Sequence, residues 1–333
     1  MPEPPVYNAR LWFDPQEETL KYLPEGPRVC SAEQISWVAI QHGAEATYGS
    51  VNLLSIGPGL QITEYRSYAL NGRPGFAFPT TVPGCFLVGL ERQLVLCDVA
   101  TGKVQPLAEP VDQEVEGTII NDAQMFGEGV VFGTKDLKFA EPKANLYLYR
   151  SRDGAVIRLR DKQTCSNGKI LSPRADGSWT LLDIDTPRKQ IVQYRLDATA
   201  GVLEEERVVV DLTEDPAFPD GMVASPDGNS LLVALYNPHP AAWGEVRQYG
   251  IESGECEAVW RVPGSPQVTC PQLFYFEGKV HLVITTAVEH MAPDRRREAH
   301  GAGCLFVMET SWNEPLPRVA WDIDRRAAIE IPQ

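Results

Sequence analysis

The sequence is short of the features that mark several large classes of protein. No apolar run in its 333 residues approaches the ~20 that a membrane-spanning helix requires. The start, Met-Pro-Glu-Pro-Pro-Val-Tyr, lacks the basic region and apolar stretch of a secretory signal, so a cytoplasmic location is expected. The seven cysteines (Cys30, Cys85, Cys97, Cys165, Cys256, Cys270, Cys304) are scattered and never form a Cys-x-x-Cys pair, which argues against a disulfide framework or zinc knuckle. The five histidines show neither an i, i+4 pair nor a His-Glu-x-x-His motif, so a zinc-protease reading has no support. Basic residues are outnumbered: 30 Lys and Arg stand against 45 Asp and Glu, a net charge of −15 that repels nucleic acid and anionic membrane. The short basic run Arg295-Arg-Arg297 reads as a solvated loop within that acidic field. Helical periodicity is also missing, which excludes crossover helices and a parallel sheet.

What is present is β structure and punctuation. With 27 Gly, 27 Pro and 43% hydrophobic residues, the chain is turn-rich and able to bury a large core. Turn signals between apolar runs occur at Ala32-Glu33, Pro83-Gly84, Glu128-Gly129, Asp176-Gly177, Asp227-Gly228 and Glu277-Gly278, about 45 to 51 residues apart. Each is followed by a second hairpin, such as Leu146-Tyr-Leu-Tyr-Arg-Ser-Arg-Asp-Gly or Val246-Arg-Gln-Tyr-Gly-Ile-Glu-Ser-Gly. Two hairpins per period of this length make a propeller blade. The expected fold is therefore all-β, a six-bladed β-propeller with four antiparallel strands per blade, forming a single domain over residues 1–333. Closure of the ring is expected from one terminus, with Tyr7 to Phe13 and the stretch ending at Trp321 as alternatives.

Counting back from the turns to the start of each first strand aligns polar residues. Eight positions before Glu33 is Glu25, eight before Gly129 is Asn121, eight before Gly228 is Asp220, and ten before Gly177 is Asn167; the other two blades give Phe76 and Cys270. In a propeller these positions meet around one axis. Two carboxylates crowded there are costly unless a cation lies between them, and an oxygen-only donor set suits a hard divalent ion, most simply Ca²⁺, with Mg²⁺, Mn²⁺ or Zn²⁺ as alternatives. His290 falls on a channel-side loop within reach of a substrate, and Thr134-Lys-Asp-Leu-Lys138 is positioned as a lid over the same opening.

Several segments, taken in order, resemble the regucalcin and gluconolactonase (senescence marker protein) family: Leu23-Pro-Glu-Gly-Pro27 with Ile35-Ser-Trp-Val-Ala-Ile40, Ile120-Asn-Asp122, Ser166-Asn-Gly168, Pro219-Asp-Gly-Met222, and Ile284-Thr-Thr-Ala287 before Gly303-Cys-Leu-Phe306. The resemblance implies a metal-dependent propeller hydrolase acting on lactones. It implies Glu25, Asn167 and Asp220 as metal ligands, Asn121 as the holder of substrate or of a water on the metal, and Asp122 as support. Departures accompany it. Ile119 stands where relatives acting on aldonolactones place an Arg, Ala39 stands where an Asp is frequent, and Phe76 is expected in the channel where relatives are polar, so a substrate less polar than gluconolactone is expected. Asp220 is the candidate catalytic base, with hydroxide held on the ion as the alternative. A propeller that binds metal and ligand without turnover, or a phosphotriesterase-like hydrolase on the same ion, are the rival readings. The expected partner is a small molecule, with the protein a monomer or weak homo-oligomer.

Overall fold

The computed structural model describes residues 3–331. Six antiparallel sheets form a ring, and the fold is a six-bladed β-propeller. Blade 1 contains Pro24–Ser31, Gln34–Ala39, Ser50–Gly57 and Gln61–Ala69, and blade 2 contains Pro74–Pro79, Cys85–Leu90, Gln93–Asp98 and Lys103–Pro106. Blade 3 contains Thr118–Phe126, Gly129–Asp136, Ala144–Arg150 and Ala155–Gln163, and blade 4 contains Ser166–Pro173, Trp179–Asp185, Gln190–Asp197 and Val202–Asp211. Blade 5 contains Phe218–Ala224, Ser230–Tyr236, Trp243–Gly250 and Cys256–Pro263; blade 6 contains Val268–Phe276, Lys279–Thr286 and Leu305–Glu309. All six turn signals fall between the first and second strands of a blade.

The burial pattern explains the strand order. Second strands such as Ser230–Tyr236 are almost continuously apolar because both of their faces pack against neighbouring blades, as Leu231, Leu232, Val233 and Ala234 do. The fourth strands of blades 1 to 4 are partly exposed edges, and charges such as Glu204, Glu205 and Glu206 on Val202–Asp211 guard them against pairing with another chain. First strands touch their counterparts in both adjacent blades, which makes them the wall of the central channel.

The N-terminus closes the ring. Arg10–Phe13 pairs antiparallel with Leu305–Glu309 and completes blade 6. Val6–Asn8 continues onto blade 5, parallel to Cys256–Pro263, so the proline-rich start is paired from Pro5 onward and not left loose. The other candidate, Arg318–Asp322, forms a separate hairpin with Ala327–Ile331. That hairpin packs on the far ends of the first strands: Thr81 N–H donates to Trp321 O (2.9 Å), Arg318 donates to Cys30 O, and Trp321 is fully buried.

One irregularity recurs in every blade. Each first strand loses register with its second strand near its start, after Glu25, at Gly75, at Asn121-Asp122, at Gly168, at Asp220-Gly221 and at Thr269. A bulge bends the strand and re-aims the side chains beside it, so six bulges at one level give the channel a ring of turned-out positions.

Candidate metal centre and cavity

Oxygen-bearing side chains stand at or directly before the bulge in four blades, and all four, Glu25, Asn121, Asn167 and Asp220, line one cavity of about 350 Å³. Their orientation is set by hydrogen bonds that cross blade boundaries. Asn121 Nδ2 donates to Ser166 O (3.0 Å) and to Asn167 Oδ1 (2.7 Å), which leaves Asn121 Oδ1 as the free acceptor. Asn167 Nδ2 donates to Thr186 Oγ1 (2.8 Å), and the Thr186 hydroxyl donates to Pro219 O (2.9 Å), the carbonyl just before Asp220. A single relay thus runs from blade 3 through blade 4 to blade 5. Blade 6 repeats its last step toward blade 1, where Thr269 Oγ1 donates to Pro24 O (2.7 Å), the carbonyl just before Glu25.

The two acids themselves are sparsely bonded. Glu25 accepts one hydrogen bond, from Gly26 N–H (2.9 Å), and among the described residues no donor or cation pairs with the Asp220 carboxylate. Burial, then the charge of Asp122, pushes Glu25 well above the ordinary carboxylate range; burial, then Glu25 and Asp122, does the same to Asp220. The described residues contain no group of three or more His, Cys, Asp or Glu arranged to hold a metal, so any ion here has to be held by two carboxylates together with amide oxygens. The chemistry of that set fits a hard divalent ion: unfilled carboxylate oxygens, oxygen-only donors, and two acids that a cation would relieve of their mutual repulsion.

The remaining expected site residues separate. Asp122 does not line the cavity; it accepts from Ala123 N–H (2.7 Å) and lies 4.0 Å from Arg28, which stacks over Phe78 (4.8 Å) deeper in the channel. Phe76 is not a channel residue. The bulge of blade 2 falls on Gly75, whose backbone lies so close to blade 3 that a Cβ would stand 2.2 Å from Ile120 O, and Phe76 turns into the core against Phe78, 4.9 Å between ring centres. In blade 6 the bulge falls on Thr269 and not on Cys270. His290 stands at the cavity rim with 75% of its side chain exposed.

Residues 23–288 match the family described as SMP-30/Gluconolactonase/LRE-like region. The chain belongs to this family. YvrE of Bacillus subtilis (strain 168), whose name provisionally makes it a sugar lactone lactonase, is 28% identical over 218 residues, 64% of this chain and 70% of that one. An uncharacterized protein of Sulfolobus acidocaldarius is 32% identical over 158 residues, 47% of this chain and 53% of that one. The structure of regucalcin, a calcium-binding protein from Agrobacterium tumefaciens strain C58, superposes with a TM-score of 0.75 at 23% identity, covering 94% of this chain and 99% of that one. A luciferin-regenerating enzyme superposes with a TM-score of 0.71 at 17% identity, covering 92% and 97%.

Within this SMP-30/gluconolactonase/LRE-like fold, the rest of the cavity wall comes from blade 3 and the rim loops. Ile119 is fully buried in the core and presents nothing to the cavity. A cation enters instead from the second strand of blade 3, where half-buried Lys135 lines the wall without an ion pair among the described residues. The segment 134–138 is thus wall as well as rim. Asp136 anchors the loop that follows it, accepting from Lys138, Ala140 and Glu141 N–H groups (3.2, 3.0 and 2.9 Å) with Lys143 at 3.2 Å, and this loop places Leu137 and Phe139 over the opening. Across the opening, Tyr236 and Gln267 both donate to Glu289 O (3.2 and 3.1 Å), while Arg295 donates to Pro238 O (2.7 Å). The 295–297 run lies on the short helix Pro293–Glu298 and not in a loop, and two of its three arginines are staples: Arg295 ties the helix to Pro238, and Arg296 ties it to the preceding turn through Met291 O (3.0 Å).

Proposed function

We propose that this protein is a divalent-metal-dependent hydrolase of lactones, with Glu25, Asn167 and Asp220 holding the ion. The observation that carries the reading is the pair of donor-poor acids, half-buried Glu25 and buried Asp220, set beside two amide side chains in one cavity wall. The name of YvrE supports a lactonase-type activity, and the calcium-binding regucalcin supports Ca²⁺ as the ion.

When bound, such an ion supplies Lewis acidity toward an ester carbonyl and toward water. Among the described residues no donor meets either carboxylate oxygen of Asp220, so one would be available to hold the ion and the other to take a proton from the attacking water. Asn121, its amide fixed by Ser166 and Asn167, offers Oδ1 to a water or a substrate hydroxyl. Lys135 places positive charge in the wall, where a ring-opening ester develops negative charge. The apolar part of the wall (Leu23, Ile40, Leu137, Phe139 and Phe218) suits a lactone with an apolar arm better than one hydroxylated all round.

The test is a proton-release assay over a panel of sugar and aliphatic lactones, with and without chelator, on the wild type and Asp220→Asn. Hydrolysis is expected to be chelator-sensitive, restored by Ca²⁺, and reduced by about 100-fold or more in the variant, in line with loss of a general base. Metal uptake without hydrolysis of any lactone in the panel would leave a binding protein in place of an enzyme.

A further inference from the structure

Lys169 is a lysine with no exposed side-chain surface. Its ammonium donates to Asn167 O (2.7 Å) and lies 3.4 Å from Asp183 Oδ1. Asp183 is its cross-strand partner in blade 4 and is itself held by Gln163 at the end of blade 3, whose Nε2 donates to Asp183 Oδ2 (2.6 Å). Gly133 opposite leaves the room: a Cβ there would stand 2.0 Å from Ser166 Oγ and 3.4 Å from Lys169 Nζ. A buried ion pair seldom stabilises a core more than apolar residues of the same size, so its presence asks for another reason.

The location supplies one. Register between the first two strands of blade 4 breaks between Asn167 and Lys169, directly after the residue whose side chain belongs to the oxygen cluster, and it is the carbonyl on the near side of that break, Asn167 O, that accepts from the ammonium. The side chain of Asn167 is held by Asn121 and Thr186, and its main chain is held by Lys169. Lys169 does not line the cavity, so its charge is spent on Asn167 and Asp183 and not on a substrate. We propose that Lys169, held by Asp183, is a positioning residue that fixes the main chain at Asn167, beside the bulge at Gly168, and thereby sets the affinity of the cluster for its divalent ion. The inference rests on the metal-binding reading given above.

Two variants test it. Lys169→Met removes the ammonium but strands a buried carboxylate; Lys169→Met combined with Asp183→Leu removes both and leaves an apolar pair. Ca²⁺ is titrated calorimetrically into chelator-treated protein, and the thermal midpoint of the metal-free form is recorded for each. The expected result is a double variant whose metal-free midpoint returns close to the wild-type value while its Kd for Ca²⁺ stays raised about 10- to 100-fold, the usual cost of losing a partner that orients a metal ligand. Wild-type Ca²⁺ affinity in the double variant would overturn the inference alone. A wild-type protein that takes up none of Ca²⁺, Mg²⁺ or Mn²⁺ would overturn the metal reading, and this inference with it.

Discussion

Glu25 and Asp220 share a local grammar: each follows a proline, and in each case the proline carbonyl accepts a hydroxyl from a threonine of the preceding blade. Proline has no N–H to offer a ladder, so its carbonyl is the one polar group by which the main chain can be fixed just ahead of the acid. Thr186→Val keeps the shape of the side chain but leaves both Asn167 Nδ2 and Pro219 O buried without this partner. It should lower unfolding stability by about 1–3 kcal/mol, read from chemical denaturation, with Thr186→Ser close to wild type. An unchanged midpoint in Thr186→Val would show that the relay carries no load. Glu25, Asn121 and Asp220 were legible because the same count of eight from the turns reaches each of them, and Asn167 because a count of ten reaches a residue of the same type. The threonines were not, because Thr186 and Thr269 meet their proline partners only across blade boundaries, one of them 245 residues away. Phe76 shows the limit of counting. A constant offset assumes a regular strand, and the bulge at Gly75 shifts the channel-facing position by one residue.

Among the elements, the loop after Gly129–Asp136 depends most on a single titrating group. Burial would raise Asp136, but the Ala140, Glu141 and Lys138 amides and the Lys143 ammonium hold it down at about 2, below its ordinary value of 3.8. A carboxyl lowered in the folded state contributes stability that is present above its unfolded value and lost as pH falls through the folded one. The loop bearing Leu137 and Phe139 should therefore be ordered at neutral pH and loosen between about pH 4 and pH 2. Hydrogen exchange of the Lys138, Ala140 and Glu141 amides checks this: protection corrected for intrinsic rates should fall across that window in the wild type and be low throughout in Asp136→Asn. Constant protection in the wild type would mean that the loop is held by packing alone. The sequence placed this element over the opening, as a lid at 134–138, but not its anchor, since an aspartate in Lys-Asp-Leu has nothing local to distinguish an Asx-type loop staple from a solvated charge.

For the whole molecule, the repeat was legible because six turns and six second hairpins recur at a blade's length, whereas ring closure was not. Tyr7 to Phe13 and Arg318–Asp322 are both short strands with no local feature that says which sheet edge they meet, and the pairing is decided by where each terminus emerges. The terminus that closes the ring has a consequence for the site. Glu25 belongs to blade 1 and Asp220 to blade 5, so the acids are brought together only if blade 6 seats against blade 1, and the N-terminal strand is what completes blade 6 while also donating from Trp12 Nε1 to Leu60 O (2.8 Å) in blade 1. A divalent ion at the acids would in turn tie these blades, adding ~2.7 kcal/mol of stability at a concentration 100-fold above its Kd. Removing residues 1–13 should therefore weaken Ca²⁺ binding although none of the described residues 3–13 lines the cavity, and should lower the midpoint of the metal-free form. Calorimetric titration of the truncated protein, with circular dichroism to show that the strands remain, is the measurement. Ca²⁺ affinity equal to that of the full chain would show that blades 5, 6 and 1 hold their places without the closing strand, and that the acids are assembled by side-to-side blade packing alone.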